Sequence, residues 1–327
     1  MKLKSFLTTL IYQALGIRNV GGVHIVPTGS ATGYGDWLRA CADAGKPVGL
    51  ISSFEHAGAC MEAKSISPQT VTILRRLAPG TIADSDTPPG NWRFDPQVMA
   101  RNWLAALTPI WERDRGVVDY FCLMNEPDPS DDAAMAVATE FQIACMQIAE
   151  TAGYKVAVWG WTAGLPRFNT RQAELSLPVL KYAAEHGHIL SIHEGSLDPT
   201  RPTFEQATQD GTAFVYRKLE GIMGARGWPM PKVAITEMYM RAKSPLWDSL
   251  QWYLLGLARD GILGGAWFTA GDYGNQNMSG HFPCYAQMLA GIDWPMPPTP
   301  EPTPIPPTPA PGCVPGTVKA IARMLRL

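Results

Sequence analysis

Short apolar segments alternate with longer amphipathic segments along most of this chain. The short segments are continuously apolar, without the alternation of apolar and polar residues that a half-exposed strand shows. This pattern is typical of strands that are buried on both faces. Such strands, separated by helical segments, predict repeated βα units around a parallel sheet. The eight predicted strands are residues 23–27, 47–53, 71–77, 119–124, 155–161, 189–193, 232–237 and 263–269.

The longer segments carry residues that begin and end helices. Asp95 and a following proline open a segment that runs to about residue 115, and Asp131 opens one that closes at Gly153. An Asp side chain accepts hydrogen bonds from the free backbone N–H groups of a first helical turn, and proline fits that turn. These segments are predicted crossover helices. Residues 78–93 are rich in proline and glycine and predict a long loop above the sheet.

The length of the chain fits one large fold with an appendage. It has 327 residues, and a single α/β barrel commonly takes about 250. Residues 1–294 are therefore predicted to form a (β/α)8 TIM barrel with a short N-terminal helix over its bottom. Ten of the seventeen residues from 295 to 311 are proline, which predicts a stiff Pro/Thr-rich linker. Residues 312–327 follow as a short amphipathic tail.

Composition limits the possible partners. The chain is 46% hydrophobic and 17% charged, with a formal net charge of -2, which does not favour nucleic acid or an anionic membrane. No stretch approaches the roughly 18 apolar residues of a membrane span. The N-terminus has Lys2 and Lys4 but no cleavage site, so it does not predict a clear export signal. The linker instead favours an extracellular or envelope-associated location, and nothing in the sequence predicts an oligomeric state.

Motifs for metal or cofactor chemistry are absent from the sequence. The six cysteines have no metal-ligand spacing and are predicted to be buried free thiols. A metal-dependent barrel hydrolase would need His-x-His on its first strand, where this chain has only His24. Gly-x-Ser-x-Gly, Walker and dinucleotide glycine motifs are missing as well. The predicted chemistry therefore requires no cofactor.

Two glutamates stand at the ends of predicted buried strands. Glu126 follows the fourth strand in an Asn-Glu-Pro sequence, and Glu237 ends the seventh in an Ile-Thr-Glu sequence. A carboxylate at the edge of an apolar core is costly unless something satisfies or uses it. Two carboxylates delivered from strand ends predict cleavage of a glycosidic bond. Two glutamates that cap helices or form salt bridges are the structural alternative.

With eight βα units and these two motifs, the chain resembles the clan of (β/α)8 retaining glycoside hydrolases that includes many cellulases, mannanases, xylanases and β-galactosidases. The resemblance extends over roughly residues 20–290. It implies that Glu126 is the acid/base and Glu237 the nucleophile of a double displacement, with carboxyl groups about 5 to 5.5 Å apart. Mutual repulsion is then expected to raise the pKa of the acid and keep it protonated near neutral pH. Asn125 would bind the sugar 2-hydroxyl.

The same resemblance gives other strand ends a role. His193, on the sixth strand, is expected to orient the nucleophile, and Tyr239 to supply the phenol that many relatives place where this chain has Gly195. Trp267, on the eighth strand, is expected to form the floor of the first sugar subsite, because flat aromatic rings match the apolar faces of pyranoses. Each side chain could instead serve only the core. Three further residues are expected to contact substrate: Trp161, Glu194 and His56.

One feature of the clan is missing. Its usual arginine near the end of the second strand is not present, because Ser-Phe-Glu-His occupies residues 53–56. Arg75 or Arg76, on the third strand, is the expected substitute. Glu55, beside His56, is an additional candidate for substrate contact.

Two classes of function follow. The leading hypothesis is a retaining glycosidase that acts on β-linkages of an oligo- or polysaccharide. Within this class, a cell-wall-lytic enzyme acting on peptidoglycan or an envelope glycan is the alternative. The second class is a noncatalytic carbohydrate-binding barrel, in which aromatic residues bind sugar but the carboxylates have lost their geometry.

Overall fold

The structure is a computed structural model that describes residues 18–26, 31–78, 88, 92–167, 170–242, 245–270 and 279–295. The chain divides into two compact units, Met1–Pro297 and Pro298–Leu327, and every described residue belongs to the first. The predicted N-terminal helix, most of the long loop, nearly all of the linker and the whole tail lie outside the described residues.

Eight parallel strands form a closed barrel in chain order, with β8 paired to β1. The predicted (β/α)8 fold is therefore confirmed, and each strand overlaps its predicted segment. The strands are β1 (Gly21–Ile25), β2 (Leu50–Phe54), β3 (Val71–Arg75), β4 (Tyr120–Cys122), β5 (Val156–Trp161), β6 (Ile189–Gly195), β7 (Lys232–Tyr239) and β8 (Gly264–Ala270).

Helices cover the outside of the barrel. The Asp95 side chain accepts from the N–H groups of Gln97 and Val98, and Asp131 accepts from Ala134, so both predicted caps form. Among the described helices, none is long and apolar enough to cross a bilayer. The helices are α1 (Tyr34–Asp43), α2 (Ala57–Ile66), α3 (Pro96–Asp114), α4 (Asp132–Thr151), α5 (Arg171–His186), α6 (Phe204–Asp210), α7 (Val215–Ala225), α8 (Trp247–Arg259) and α9 (Phe282–Gly291).

The apolar core has two layers. Small and branched side chains fill the barrel interior, among them Leu50, Ile73 and Ala234, while a larger layer lies between the barrel and its helices. Parallel strands covered in this way are buried on both faces, which explains their continuous apolar character. None of the five described cysteines forms a disulfide; four are buried as predicted, whereas Cys284 is exposed on α9.

Candidate active site

Glu126 and Glu237 meet at the carboxyl end of the barrel, where both carboxylates face the same nitrogen of one histidine. Nδ1 of His193, on β6, lies 2.9 Å from Glu126 Oε1 and 3.7 Å from Glu237 Oε2. Within the sheet, His193 is the residue paired with Glu237. Because Nδ1 faces two carboxylates, it is the nitrogen that carries the proton and donates to Glu126. The histidine is 2% exposed, so its ring is held firmly beside the two glutamates.

An irregular backbone directs Glu126 into this position. Glu126 has a φ of 44°, in the left-handed region, and its N–H donates to the Gly160 carbonyl at 2.8 Å. The β5–β6 register shifts around Gly160, which itself has a φ of 61°. A Cβ at Gly160 would lie 2.7 Å from the Met124 carbonyl oxygen, so only glycine fits. The β5 bulge therefore fixes the backbone that carries Glu126.

Glu237 is nearly buried and has basic neighbours. Arg75 Nη1 lies 3.6 Å and His24 Nδ1 3.9 Å from Glu237 Oε1. His24 Nδ1 also lies 3.1 Å from the Thr236 carbonyl oxygen and 3.0 Å from Ser52 Oγ, so it carries a proton that it donates to the carbonyl. Burial lowers the pKa of His24 to about 4, so this imidazole is neutral at pH 7. Arg75 thus supplies the permanent positive charge beside Glu237.

Of the two arginines considered as substitutes for the clan's arginine, Arg75 is the one beside the glutamate pair. Arg76 points the other way and binds Asp114 through Nε at 2.9 Å and Nη2 at 2.6 Å. Glu55 also serves the scaffold, because its carboxylate accepts from the N–H of Leu77 and pairs with Arg76.

The protonation of Glu126 differs from the sequence-based expectation. The pKa of Glu126 is lowered from its ordinary 4.5, chiefly by the hydrogen bond from His193, while burial opposes the shift. Repulsion between two carboxylates was expected to raise the pKa of the acid. The histidine between them reverses that direction, because a donated hydrogen bond stabilises the charged form.

Tyr239 lies beside both glutamates. Burial raises its pKa to about 12, and the negative charges of Glu126 and Glu237 add to the shift. The Thr162 side chain lies near both Tyr239 and Glu126 and lowers the pKa of each group. The structure therefore places a phenol next to the pair, two residues beyond Glu237 on β7.

Trp267 lies outside the barrel interior, contrary to its expected place under a sugar. It is 5% exposed and packs edge-on against Trp247 and Tyr285, with ring centroids 5.4 and 5.2 Å away. The next residue, Phe268, faces inward, with its ring centroid 5.2 Å from that of His24. Side chains alternate along a strand, so Phe268 takes the inward position that was assigned to Trp267.

Two further expected contacts are buried away from any substrate. Trp161 is 1% exposed and stacks on Trp159, with ring centroids 4.6 Å apart. Glu194 is 0% exposed, and its carboxylate accepts from the N–H groups of Phe214 and Val215, each at 2.7 Å. Both side chains belong to the layer between barrel and helices, so neither can touch a sugar in this conformation.

Two remaining candidates have open surroundings. Asn125 is half-buried between β4 and Glu126, and its contact with a sugar remains an expectation. His56 is exposed after β2, beside a groove of about 500 Å³ at the carboxyl ends of β1 and β2. Residues lining this groove include Tyr34, Asp36, Arg39, Gly58 and Glu62.

Sequence reasoning missed three residues near the pair, namely His24, Thr162 and Phe268. A polar His24 between two apolar residues of β1 was a usable signal, because a strand buried on both faces seldom carries an imidazole without a partner. Thr162 and Phe268 gave no comparable signal. Among the described residues, no group of three or more His, Cys, Asp or Glu side chains is arranged to hold a metal ion.

Solved structures share this fold, although no protein-family model and no curated protein matches the chain. A family 39 glycoside hydrolase from the gut symbiont Bacteroides cellulosilyticus WH2 is 14% identical with a TM-score of 0.50, over 84% of this chain and 64% of that one. This chain therefore spans less than two thirds of that protein. An endo-β-1,4-mannanase from Thermotoga petrophila is 13% identical with a TM-score of 0.51, over 84% of this chain and 77% of that one. At such identities the likeness shows the shared (β/α)8 fold and identifies no family.

Proposed function

We propose that this protein is a retaining glycoside hydrolase that cleaves β-glycosidic bonds in an oligo- or polysaccharide. The observation that carries the proposal is the pair of glutamates facing one histidine nitrogen. Since both contacts share that nitrogen, the two carboxylate oxygens lie no more than about 7 Å apart. This limit accommodates the 5 to 5.5 Å separation of retaining enzymes, which is why we assign the retaining mechanism.

The two glutamates differ in ways that suit two roles. Glu237, with a side chain 12% exposed, lies beside the guanidinium of Arg75 and attacks the anomeric carbon. Glu126, with a side chain 43% exposed, gives its proton to the leaving oxygen and later takes one from water. A nucleophile needs a fixed position, whereas an acid/base needs access to the leaving group and to water.

The lowered pKa of Glu126 has a consequence for this mechanism. In the free protein the acid is protonated only at acidic pH, so kcat/KM is expected to fall as the pH rises above the acidic range. Esterification of Glu237 removes one charge next to the acid/base and lowers the pKa of Glu126 further. This change favours its second role, as the base for water.

The neighbouring structures support a β-glycan as the substrate, because the solved neighbours include an endo-β-1,4-mannanase. Phe268 and Tyr239 offer inward ring surfaces for a sugar at the glutamate pair. The groove beside His56 lies at the carboxyl ends of β1 and β2, at the same end of the barrel as the pair, and we assign further sugar units of the substrate to it.

The test is covalent trapping with activated 2-deoxy-2-fluoro glycosides of several sugars, followed by proteolysis and mass spectrometry. A 2-fluoro substituent slows hydrolysis of the glycosyl ester, so the sugar should remain on Glu237 of the native protein. Glu237→Gln should take no label, and Glu126→Ala should still take label from a glycoside with a good leaving group.

Three other results would change the proposed function or the roles of the two glutamates. Release of fragments from peptidoglycan, with no turnover of plant-type β-glycans, would select the cell-wall-lytic alternative. If no glycone gives an adduct on the native protein, and Glu237→Gln binds sugar as well as the native protein does, the noncatalytic barrel is selected. An adduct on a residue other than Glu237 would overturn the assigned roles.

A further inference from the structure

Glu194 is a fully buried carboxylate outside the proposed active site. It follows His193 on β6 and points the opposite way, into the layer between the barrel and helices α7 and α8. Its two oxygens accept from the N–H groups of Phe214 and Val215, each at 2.7 Å, and the Tyr253 hydroxyl donates to it as well. These three donors stabilise the buried carboxylate, because a buried charge without hydrogen-bond partners is too costly.

These bonds replace a missing helix cap. Helix α7 begins after Phe214, which has a φ of 53° and caps the helix with no side-chain hydrogen bond of its own. The first N–H groups of a helix lack intrahelical partners and carry partial positive charge. Glu194 supplies the acceptor from a different element. One carboxylate thereby joins the end of β6 to the start of α7 and, through Tyr253, to α8.

The connection acts on the active site through the strand backbone. Residues 193 and 194 are adjacent, so the direction of the Glu194 side chain fixes the peptide that also directs the His193 ring. The β6–β7 register shifts between Ile192 and His193, so the ladder there is irregular. After the glutamate, Gly195 lies so close to β7 that a Cβ would be 2.0 Å from the Tyr239 carbonyl oxygen. The end of β6 therefore depends on contacts from both sides.

We infer that Glu194 is a positioning residue, which holds His193 Nδ1 in its hydrogen bond with Glu126 by tying the end of β6 to helices α7 and α8. The role rests on the proposed function, since the His193 contact affects turnover only if Glu126 is the acid/base. Glu194 itself touches no substrate.

The charge on Glu194 is sensitive to its donors. Burial raises its pKa to about 7, and the hydrogen bonds from Tyr253, Phe214 and Val215 oppose that shift. The nearby ion pair of Arg217 and Asp260 joins α7 to the end of α8, with Nε and Oδ2 2.6 Å apart, and does not involve β6. This partly exposed pair connects the same two helices and provides the control.

The experiment observes the His193–Glu126 hydrogen bond without any substrate. The Nδ1 proton of His193 should give a downfield, slowly exchanging NMR signal, identified by its loss in His193→Phe. In Glu194→Gln, one of the two carboxylate oxygens is replaced by an NH2 group. A donor then faces the α7 N–H groups where the native protein has an acceptor. We expect this signal to exchange at least about tenfold faster in that variant. Asp260→Asn should leave it unchanged.

Two results would overturn the inference: a His193 signal in Glu194→Gln with the native exchange rate, or an equal effect of Asp260→Asn. If Glu194→Gln does not fold, Tyr253→Phe, which removes one donor and little volume, is judged by the same criteria. Once a substrate is known, Glu194→Gln should lower kcat about tenfold or more with little change in KM. Because the NMR readout needs no turnover, its failure is distinct from a failure of the proposed function.

Discussion

Gly160→Ala tests whether the β5 bulge places Glu126. Alanine at this position would have to keep a φ of 61°, which costs a residue with a Cβ about 1–2 kcal/mol. Its Cβ would also lie 2.7 Å from the Met124 carbonyl oxygen, whereas ordinary contact begins at 3.4 Å. The segment before Glu126 must therefore shift by about 0.7 Å, and such overpacking costs about 1–3 kcal/mol.

The two costs add to about 2–5 kcal/mol of unfolding free energy. For a domain of this size each kcal/mol lowers Tm by roughly 2–4 °C, so a fall of about 4–20 °C is expected by calorimetry. Activity should fall more than the loss of stability implies, because the displaced segment carries Glu126, the proposed acid/base. A misplacement approaching 1 Å can reduce kcat by about a hundredfold, so a loss of about ten- to a hundredfold is expected below the melting range.

Gly221→Ala is the matched control. Gly221 lies within α7, and no described atom outside its own helix backbone and chain neighbours lies within 4 Å of the place that a Cβ would take. Alanine there should stabilise the protein by about 0.5–1 kcal/mol and leave kcat unchanged. The reasoning is refuted if Gly160→Ala melts within about 1 °C of the native protein. A lowered Tm with native kcat would refute only the link between the bulge and Glu126.

Two further predictions concern the pair and the groove. His193→Phe removes the main cause of the lowered pKa of Glu126, so the pKa should rise and the alkaline limb of the kcat/KM profile should move to higher pH; an unmoved limb would contradict the assignment of Glu126. At pH values above 4.5, the ordinary pKa of Glu126, its ionised form contributes to the free energy of unfolding, and His193→Phe should lose that contribution. At pH values below the native pKa of Glu126, the contribution should differ less between the two proteins. Gly58→Leu should obstruct the groove, since a Cβ there meets only the His56 ring at 3.2 Å, and should raise KM for long substrates but not for short activated glycosides. Gly221→Leu is its control, and an equal effect on both lengths would argue against sugar binding in the groove.

The order of elements and the two glutamates could be predicted from the sequence because both depend on local patterns. A strand covered on both faces must be apolar throughout, and this requirement is visible in eight short segments. Helix caps such as Asp95 and Asp131 act within three residues, so they too can be recognised locally. Carboxylates at the ends of apolar strands can be recognised in the sequence because burying a charged group without a partner is costly.

The sequence alone did not determine the direction in which each strand residue points. Trp267 and Phe268 are adjacent apolar residues in a strand buried on both faces, so either could face the interior. Register decides between them: Phe268 pairs with the inward His24, and Trp267 pairs with Val23, which belongs to the outer layer. Arg75 and Arg76 posed the same choice, and the barrel turned only Arg75 toward Glu237.

The electrostatic state of the site also depended on tertiary structure. The pKa of Glu126 is set by His193, 67 residues away in the chain, and the role of Glu194 depends on N–H groups at the start of α7. Sequence alone determined which residues are expensive to bury and roughly where strands and helices begin. Only the closed barrel decided which of those residues meet, because hydrogen bonds and charges act over a few ångströms of space, whatever their separation along the chain.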